Sequence, residues 1–318
     1  MALYGYTIGE DRDQNPSNGK QLDVYRFLIP TAPGDPITPT QVGTVNIAGT
    51  VTNADLEGLG TNLATGRVSA VNEARATALP NAPGPVIVVN NVDQDQVSPT
   101  PTPSNNLVRF GFESGADFGG TPTALYNISG NPNPANGPVG SSLYRITTAT
   151  PGAISLVAAA PTAAQIQGTQ PTNAGKFADG LAIDNLDPNP GSRALASDFK
   201  TSDGNGNNLY EVDLLTGQLS APIALRTPSG QPLNLDGDSG LSFTNFGSQR
   251  LIGWLESGAV YEITGYQDEL AASGLGSATG SNGAGFATAT LLGNVNLPNA
   301  LTEGLLNVDY EGFTIVNE

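Results

Sequence analysis

Residues 178–212, ADGLAIDNLDPNPGSRALASDFKTSDGNGNNLYEV, are the stretch that decides the fold. They contain three short apolar segments, at 180–183, 194–197 and 209–212, and turn-forming residues separate the segments. The last segment alternates apolar and polar positions in the two-residue period that is typical of a β-strand. Clusters of Gly, Pro, Asn and Asp between such segments favour turns. The stretch therefore predicts a sheet of short strands.

The opening motif of this stretch recurs about every 60 residues. An acidic residue stands shortly before a Gly-Leu pair at Gly58, Gly180, Gly240 and Gly304, and Asp117-Phe118-Gly119-Gly120 lies midway in the longest gap. Gly119 follows Gly58 by 61 residues, which is the period that the other copies require. A fixed period of this length is the sequence signature of a repeat architecture. We interpret the pattern as five copies of one unit.

Each copy carries further strands of matching type. One type alternates an aromatic and a charged residue, at 24–27, 143–146, 209–212 and 260–263. Another ends in a polar or acidic residue, at 68–73, 194–198, 251–256 and 313–318. Four short strands per repeat predict an all-β chain, a β-propeller with five blades of about 61 residues. Six blades are the alternative, because residues 3–8 form an additional strand with no motif before it.

Both ends of the sequence fall part-way through a repeat. We expect the two termini to share one blade and to close the ring, since closure removes exposed sheet edges. The whole chain, 1–318, is interpreted as one propeller domain. Proline-rich stretches at 99–103 and 131–134 predict an irregular, loop-rich insertion around 74–142.

Two motifs carry a resemblance to known repeat families. The segment 54–59, ADLEGL, followed by AVNE at 70–73, resembles bacterial β-propellers of the phytase-like (esterase-like) group, and DGLAID at 179–184 resembles NHL-type repeats. The resemblance implies that each Gly-Leu pair lies on an innermost strand. It also implies that four acidic residues approach a central channel: Glu57, Asp179, Asp238 and Glu303.

Composition excludes several classes of chemistry. The chain has no cysteine and no histidine, so disulfides, thiolate zinc sites, cysteine nucleophiles and imidazole acid–base catalysis are excluded. Its net charge of −17 disfavours nucleic acid, which binds proteins mainly through cations on phosphates. No stretch approaches the ~20 apolar residues of a transmembrane helix. Catalysis would have to use carboxylates, Arg, Lys, Tyr or a metal ion held by oxygen ligands.

A calcium loop is the most specific metal motif that the sequence offers. Oxygen-bearing side chains alternate with glycine at Asp203, Asn205 and Asn207, and Glu211 follows. Such ligands suit Ca²⁺, although the twelfth position of an EF-hand would be Leu214, so the match is to a looser loop. Three pairs of acids are weaker candidates of the same kind: Asp236 and Asp238, and the pairs at 11/13 and 93/95. The alternative for all of them is a hairpin turn stabilised by Asn, Asp and Gly.

The four channel acids have two interpretations. They could ring a bound cation, or each could accept backbone N–H bonds in a turn between blades. The repeated tyrosines at 25, 144, 210 and 261 and the single tryptophan, Trp254, are expected to pack in the core or between blades rather than against a ligand.

These features predict an exported, acidic bacterial protein that lies at the cell surface or outside the cell, with a periplasmic or cytoplasmic location as the alternative. Its expected role is a calcium-stabilised, non-enzymatic binding, adhesion or scaffold module whose partners are surface proteins, extracellular matrix or polysaccharide. The alternative is a Ca²⁺-dependent hydrolase, phosphoesterase or lactonase-like, with Glu57, Asp179, Asp238 and Glu303 as catalytic residues. An enzyme would need clustered acids together with an Arg or Lys at one channel mouth.

Overall fold

The computed structural model describes fourteen stretches of the chain: 2–9, 20–47, 56–72, 88–94, 96–97, 113–120, 123–131, 139–147, 154–157, 173–186, 194–200, 206–267, 285–298 and 308–318. Among these residues no helix is long and apolar enough to cross a membrane.

The described residues form twenty β-strands, and the predicted all-β class is confirmed. In chain order they are β1 (Leu3–Ile8), β2 (Lys20–Leu28), β3 (Thr40–Ile47), β4 (Leu56–Asn62), β5 (Arg67–Asn72), β6 (Val88–Asn90), β7 (Gln96–Val97), β8 (Ser114–Gly119), β9 (Ala124–Asn131), β10 (Gly140–Ile146), β11 (Ile154–Leu156), β12 (Gly180–Ile183), β13 (Ala194–Asp198), β14 (Asn208–Val212), β15 (Ile223–Arg226), β16 (Ser239–Phe243), β17 (Leu251–Leu255), β18 (Ala259–Thr264), β19 (Phe286–Asn294) and β20 (Phe313–Asn317).

The strands form four sheets, with the orders β20-β1-β2-β3-β7, β4-β5-β6, β8 to β11, and β12-β13-β14-β15-β19-β18-β17-β16. The eight-stranded sheet consists of two antiparallel runs of four, which are joined where β15 pairs in parallel with β19. Its two end strands, β12 and β16, pack against each other, so this sheet is nearly closed.

Five strands pack in a closed cycle, in which β4 contacts β8, then β12, β16 and β20 follow, and β20 returns to β4. A glycine near the start of each strand permits the close approach. A Cβ added to Gly58, Gly115, Gly180 or Gly240 would touch the next strand of the cycle, and one added to Gly312 would touch β4. Each of these glycines therefore has a steric reason to lack a side chain.

This cycle corrects the register of the sequence repeat. Both Gly115 and Gly119 of β8 approach β12, but Gly115 is the one near the start of the strand, as in the other members of the cycle. The glycine beside β20 is Gly312, whereas Gly304 lies outside the described residues. The loops between copies differ in length, so a constant spacing of 61 residues selected the wrong glycine in β8.

The two termini share one sheet, as predicted. Strand β1 lies between β20 and β2, with Leu3 opposite Asn317, and the backbones of Ala2 and Glu318 exchange two hydrogen bonds. One detail of the prediction is wrong. The sequence pattern groups 313–318 with 68–73 and 251–256, but β20 belongs to the inner cycle, whereas β5 and β17 are the second strands of their sheets.

The range 74–142 is not irregular throughout. It contains β6, β7, β8 and β9, and β8 is a member of the inner cycle. The proline-rich stretch 99–103 lies outside the described residues.

Aromatic side chains fill the space between sheets, as the sequence indicates. The repeated tyrosines 25, 144, 210 and 261 are buried on β2, β10, β14 and β18. The Trp254 ring stacks on Phe27 and Phe313, with centroid distances of 5.3 and 5.7 Å, and its indole N–H donates to the Tyr310 carbonyl at 2.5 Å. Trp254 therefore joins three strands, β17, β2 and β20, and the predicted packing role is confirmed.

Candidate functional site

Six ionisable side chains converge at the end of the cycle where the inner strands begin. We call them the acidic cluster: Glu113, Lys200, Asp238, Glu256, Asp309 and Glu311. Glu113 and Asp238 directly precede β8 and β16, and Glu311 lies two residues before β20. Because the second strand of a sheet runs antiparallel to the inner one, β13 and β17 end at the same place. They supply Lys200 and Glu256 there.

Lys200 lies between two carboxyl groups. Its Nζ is 2.6 Å from Glu113 Oε2 and 2.5 Å from Asp238 Oδ1. A carboxylate oxygen of Glu311 also lies within 4.8 Å of one from Asp238. Asp238 is thus the centre of the cluster.

A second group of oxygens adjoins this centre. Asp238, Glu256 and Glu311 each offer a carboxylate oxygen, and the three atoms lie within 4.8 Å of one another. The Glu256 amide donates to the Asp238 carbonyl at 3.1 Å, which holds the two residues together. A Cβ at Gly237 would lie 2.7 Å from Glu256 Oε1, so the glycine leaves room for this carboxyl.

Burial and mutual repulsion make the cluster retain protons. Burial, together with the charges of Asp238 and Asp309, raises the pKa of Glu256 to about 10. Burial and Asp238 raise the pKa of Glu113 to about 8. Burial would also raise the pKa of Asp238, but the Lys200 ammonium and neighbouring hydrogen bonds hold it below its usual value. At neutral pH Glu113 and Glu256 therefore hold protons that a bound cation would displace.

The backbone at Glu113 has a φ of +43°, in the left-handed region that residues with a side chain rarely adopt. Non-glycine residues in this region concentrate at functional sites, where the surrounding structure holds the strained conformation. The strained residue is the one that places a carboxyl against Lys200.

Of the six predicted metal ligands, the structure describes four, and only Asp238 belongs to the acidic cluster. Asp236 is exposed, and Glu211 is buried on β14. The Asn207 amide bridges to the backbone of Leu235, accepting from its N–H at 2.7 Å and donating to its carbonyl at 3.0 Å. Asn207 therefore stabilises a turn. Asp203, Asn205 and the weaker candidates Asp11, Asp13 and Asp95 lie outside the described residues, whereas Asp93 pairs with Arg67 at 2.7 Å.

Three acids of the inner strands bond backbone amides of a neighbouring inner strand. Glu57 accepts from the Ser114 N–H at 2.9 Å, Asp117 from the Ile183 N–H at 2.8 Å, and Asp179 from the Ser239 N–H at 3.1 Å. Of the two interpretations of the channel acids, a ring around a cation or acceptors of backbone N–H bonds between repeats, Glu57 and Asp179 fit the second. Burial raises the pKa of Asp117 to about 8 and that of Asp179 to about 7. Glu303 lies outside the described residues.

Sequence reasoning missed five of the six cluster residues. Glu113 and Glu311 did carry a signal, because each stands one or two residues before a glycine of the inner cycle. Glu256 was noted only as the end of a strand. Lys200 and Asp309 have no local pattern that marks them. In comparisons with known proteins, no family model and no curated protein matches this chain.

Proposed function

We propose that the protein is an exported, five-bladed β-propeller that binds calcium at the acidic cluster and acts as a non-enzymatic binding, adhesion or scaffold module. The observation that carries the proposal is the convergence of carboxylate oxygens from Asp238, Glu256 and Glu311 within 4.8 Å. These three residues come from two separate sheets, so an ion held between them would link the sheets at one end of the inner cycle.

The blade number rests on the inner cycle. Five strands take part in it, and each is the end strand of a sheet or of one four-stranded half of the large sheet. A propeller blade begins with such an innermost strand. In this interpretation the sheet that contains β1 and β20 is the blade closed by both termini.

Calcium is the cation that suits these ligands. Carboxylate oxygens are hard ligands, and Ca²⁺ accepts six to eight of them in an adaptable geometry. Metal binding requires deprotonated ligands, so the protons of Glu256 and Glu113 would be released when the ion binds. Calcium affinity should therefore increase with pH.

The surface role rests on composition and charge. A net charge of −17 and few lysines suit a soluble module outside the cell. Surface proteins, extracellular matrix and polysaccharide remain the proposed partners.

Lys200 favours a second candidate function, a calcium-dependent phosphoesterase or lactonase-like hydrolase. It places an ammonium beside clustered acids, which is the combination that an enzyme would need. A bound calcium ion would supply electrophilic assistance and water activation. Lys200 would bind an anionic oxygen of the substrate, and Glu113 would hold the ammonium in position.

Thermal unfolding of the full chain in EDTA, Ca²⁺ and Mg²⁺ tests the proposal. A ligand at a hundredfold excess over its Kd stabilises the folded state by about 2.7 kcal/mol. For a chain of this length that free energy raises Tm by about 4 °C. We expect Ca²⁺ to give this increase and Mg²⁺ to give less.

Glu256→Gln should abolish the calcium effect. The control is Glu262→Gln, which should retain the calcium effect. The Glu262 carboxylate lies on the same sheet but pairs with Arg250, at 2.7 Å. Equal Tm values in EDTA and millimolar Ca²⁺ would refute the calcium site. Calcium-dependent turnover of a phosphomonoester or lactone, lost in Lys200→Met, would replace the binding module by the hydrolase.

A further inference from the structure

The contacts of Lys200 point to chemistry that neither candidate function uses. We propose that Lys200 and Asp238 form an intramolecular isopeptide bond and that Glu113 catalyses its formation. The three side chains meet although their residues are far apart in sequence, on segments that adjoin β13, β16 and β8.

The geometry brings the reacting groups together. Lys200 Nζ is 2.5 Å from an oxygen of the carboxyl whose carbon it would attack. Glu113 Oε2 lies 2.6 Å from the same Nζ, so the two carboxyl groups meet at one nitrogen. Glu113 can therefore move protons between the nucleophile and the leaving group.

The environment favours condensation over hydrolysis. The exposed fractions of the three side chains are only 14% for Lys200, 20% for Glu113 and 22% for Asp238. The Phe177 ring lies 5.9 Å from Nζ and adds an apolar neighbour. Attack requires the uncharged amine. Burial lowers the pKa of Lys200, but the charges of Asp238 and Glu113 raise it above its usual value, so proton transfer from the ammonium to Asp238 is an uphill first step of the reaction. Holding the two in contact replaces a bimolecular encounter by an intramolecular one.

The reaction balances without a further reagent. The Lys200 ammonium first gives one proton to the Asp238 carboxylate, and the neutral Nζ then attacks Cγ and forms the C–N bond. Glu113, which holds a proton at neutral pH, gives that proton to the departing oxygen and takes the second proton from nitrogen in its place. The Cγ–O bond breaks, one water molecule leaves, and the product is a secondary amide.

The bond would have a defined effect on the fold. It would join the end of β13 to the start of β16 and thereby link the two halves of the eight-stranded sheet. Calcium binding remains compatible with it, since Glu256 and Glu311 keep their carboxylates and Asp238 keeps one carbonyl oxygen. The hydrolase candidate is not compatible with it, because that candidate needs a free ammonium on Lys200.

Mass spectrometry of the purified full chain tests the inference directly. The intact protein should be lighter than its sequence by one water, about 18 Da. Trypsin should leave Lys200 uncut and release residues 194–226 joined to residues 227–250 as one branched peptide. Asp238→Asn should expel ammonia instead of water and give the same branched product.

Three variants give the comparison. Lys200→Arg and Glu113→Gln should keep the full sequence mass, with circular dichroism used to check that both remain folded. Lys176→Arg should lose water like the wild type, because the Lys176 ammonium donates to the Leu219 carbonyl and faces no carboxylate in the described contacts. A wild-type protein with its full sequence mass and a cleavable Lys200 would overturn the inference. Water loss that persists in Lys200→Arg would assign the dehydration to another site and would also overturn it.

Discussion

Replacing Phe313 by alanine should destabilise the fold through the contact that joins the chain end to the eight-stranded sheet. Phe313 begins β20 and is 2% exposed. Its ring stacks on Trp254 at 5.7 Å and on Phe27 at 6.2 Å, so one side chain touches strands of two sheets.

Truncation of a buried phenylalanine costs about 3–5 kcal/mol, which includes the cavity that remains. Each stacked aromatic pair contributes about 0.5–1.5 kcal/mol beyond the area it buries, and two such pairs are lost. We therefore expect a loss near the upper part of that range, about 4 kcal/mol. A domain is usually stable by about 5–15 kcal/mol, so the loss is a large part of the total. For 318 residues it corresponds to a decrease in Tm of about 6 °C.

The assay is urea-induced unfolding followed by tryptophan fluorescence, since Trp254 is the only tryptophan and lies against the mutated site. Phe286→Ala is the matched control. Phe286 is partly exposed and packs under the Arg226 guanidinium, 4.2 Å from the ring centroid, and its loss should cost about 1 kcal/mol or less. Phe313→Leu, which keeps most of the volume, should recover most of the stability. A Phe313→Ala protein that unfolds within 1 kcal/mol of Phe286→Ala would refute the role of this contact in closing the fold.

Two further predictions concern the termini and the titrating acids. Deleting residues 1–10 removes β1, the strand that pairs with both β20 and β2. The deletion should therefore lower Tm by more than Phe313→Ala does. An unchanged melting curve would contradict closure through β1. Without divalent cations, the free energy of unfolding should fall as pH rises from 5 to 8, measured in urea at constant ionic strength. In the folded chain the pKa values of Glu113, Asp117 and Glu256 are raised to about 8, 8 and 10. The folded chain therefore holds protons on these carboxyl groups that the unfolded chain releases. Each such group lowers the free energy of unfolding by up to about 1.4 kcal/mol per pH unit.

A free energy of unfolding that stays level or rises over this pH range would contradict the raised pKa values. Calcium should reduce the decline, since an ion at Asp238, Glu256 and Glu311 takes the place of protons.

Local sequence pattern was sufficient to predict the strands and the packing aromatics. The alternation at 209–212 and 260–263 has the two-residue period of a strand, and a strand of that pattern buries its tyrosine whatever the loops do. Closure by the two termini was also predictable, because each end supplies an incomplete repeat. The strands and the packing aromatics depend on residues close together in the sequence, whereas closure was inferred from where the two ends fall in the repeat.

The acidic cluster depends on residues that are far apart, so its assembly was not predictable. Lys200 reaches Glu113 across 87 positions of the sequence. The repeat did point to acids before glycines, but the constant spacing selected Asp117 in place of Glu113. The Glu-Gly-Leu motif selected Glu303, which lies outside the described residues, and passed over Glu311. Loop lengths vary between repeats without changing the strands, so the spacing of the glycines identifies a copy only approximately.

The inner strands explain why acids recur at all. Among the described residues, each strand of the cycle begins or ends a hydrogen-bonded ladder, so one of its edges has no strand partner there. Backbone amides on such an edge need acceptors. Glu57 and Asp179 supply them to Ser114 and Ser239.

Asp238 stands in the same sequence motif but accepts an ammonium rather than an amide. The difference follows from its neighbours. Asp179 directly precedes its glycine, Gly180, and faces the next inner strand. Asp238 lies one residue further from its glycine, Gly240, at the place where β13 ends and Lys200 follows. A shift of one residue thus separates a carboxylate that stabilises the cycle from one that is available for a cation or for bond formation. On this argument, Asp238→Ser should keep the cycle folded, because Asp179 still accepts from Ser239, while it removes both the calcium effect on Tm and the loss of water. If either survived in the folded variant, Asp238 would not be the carboxyl that holds the cation or forms the bond.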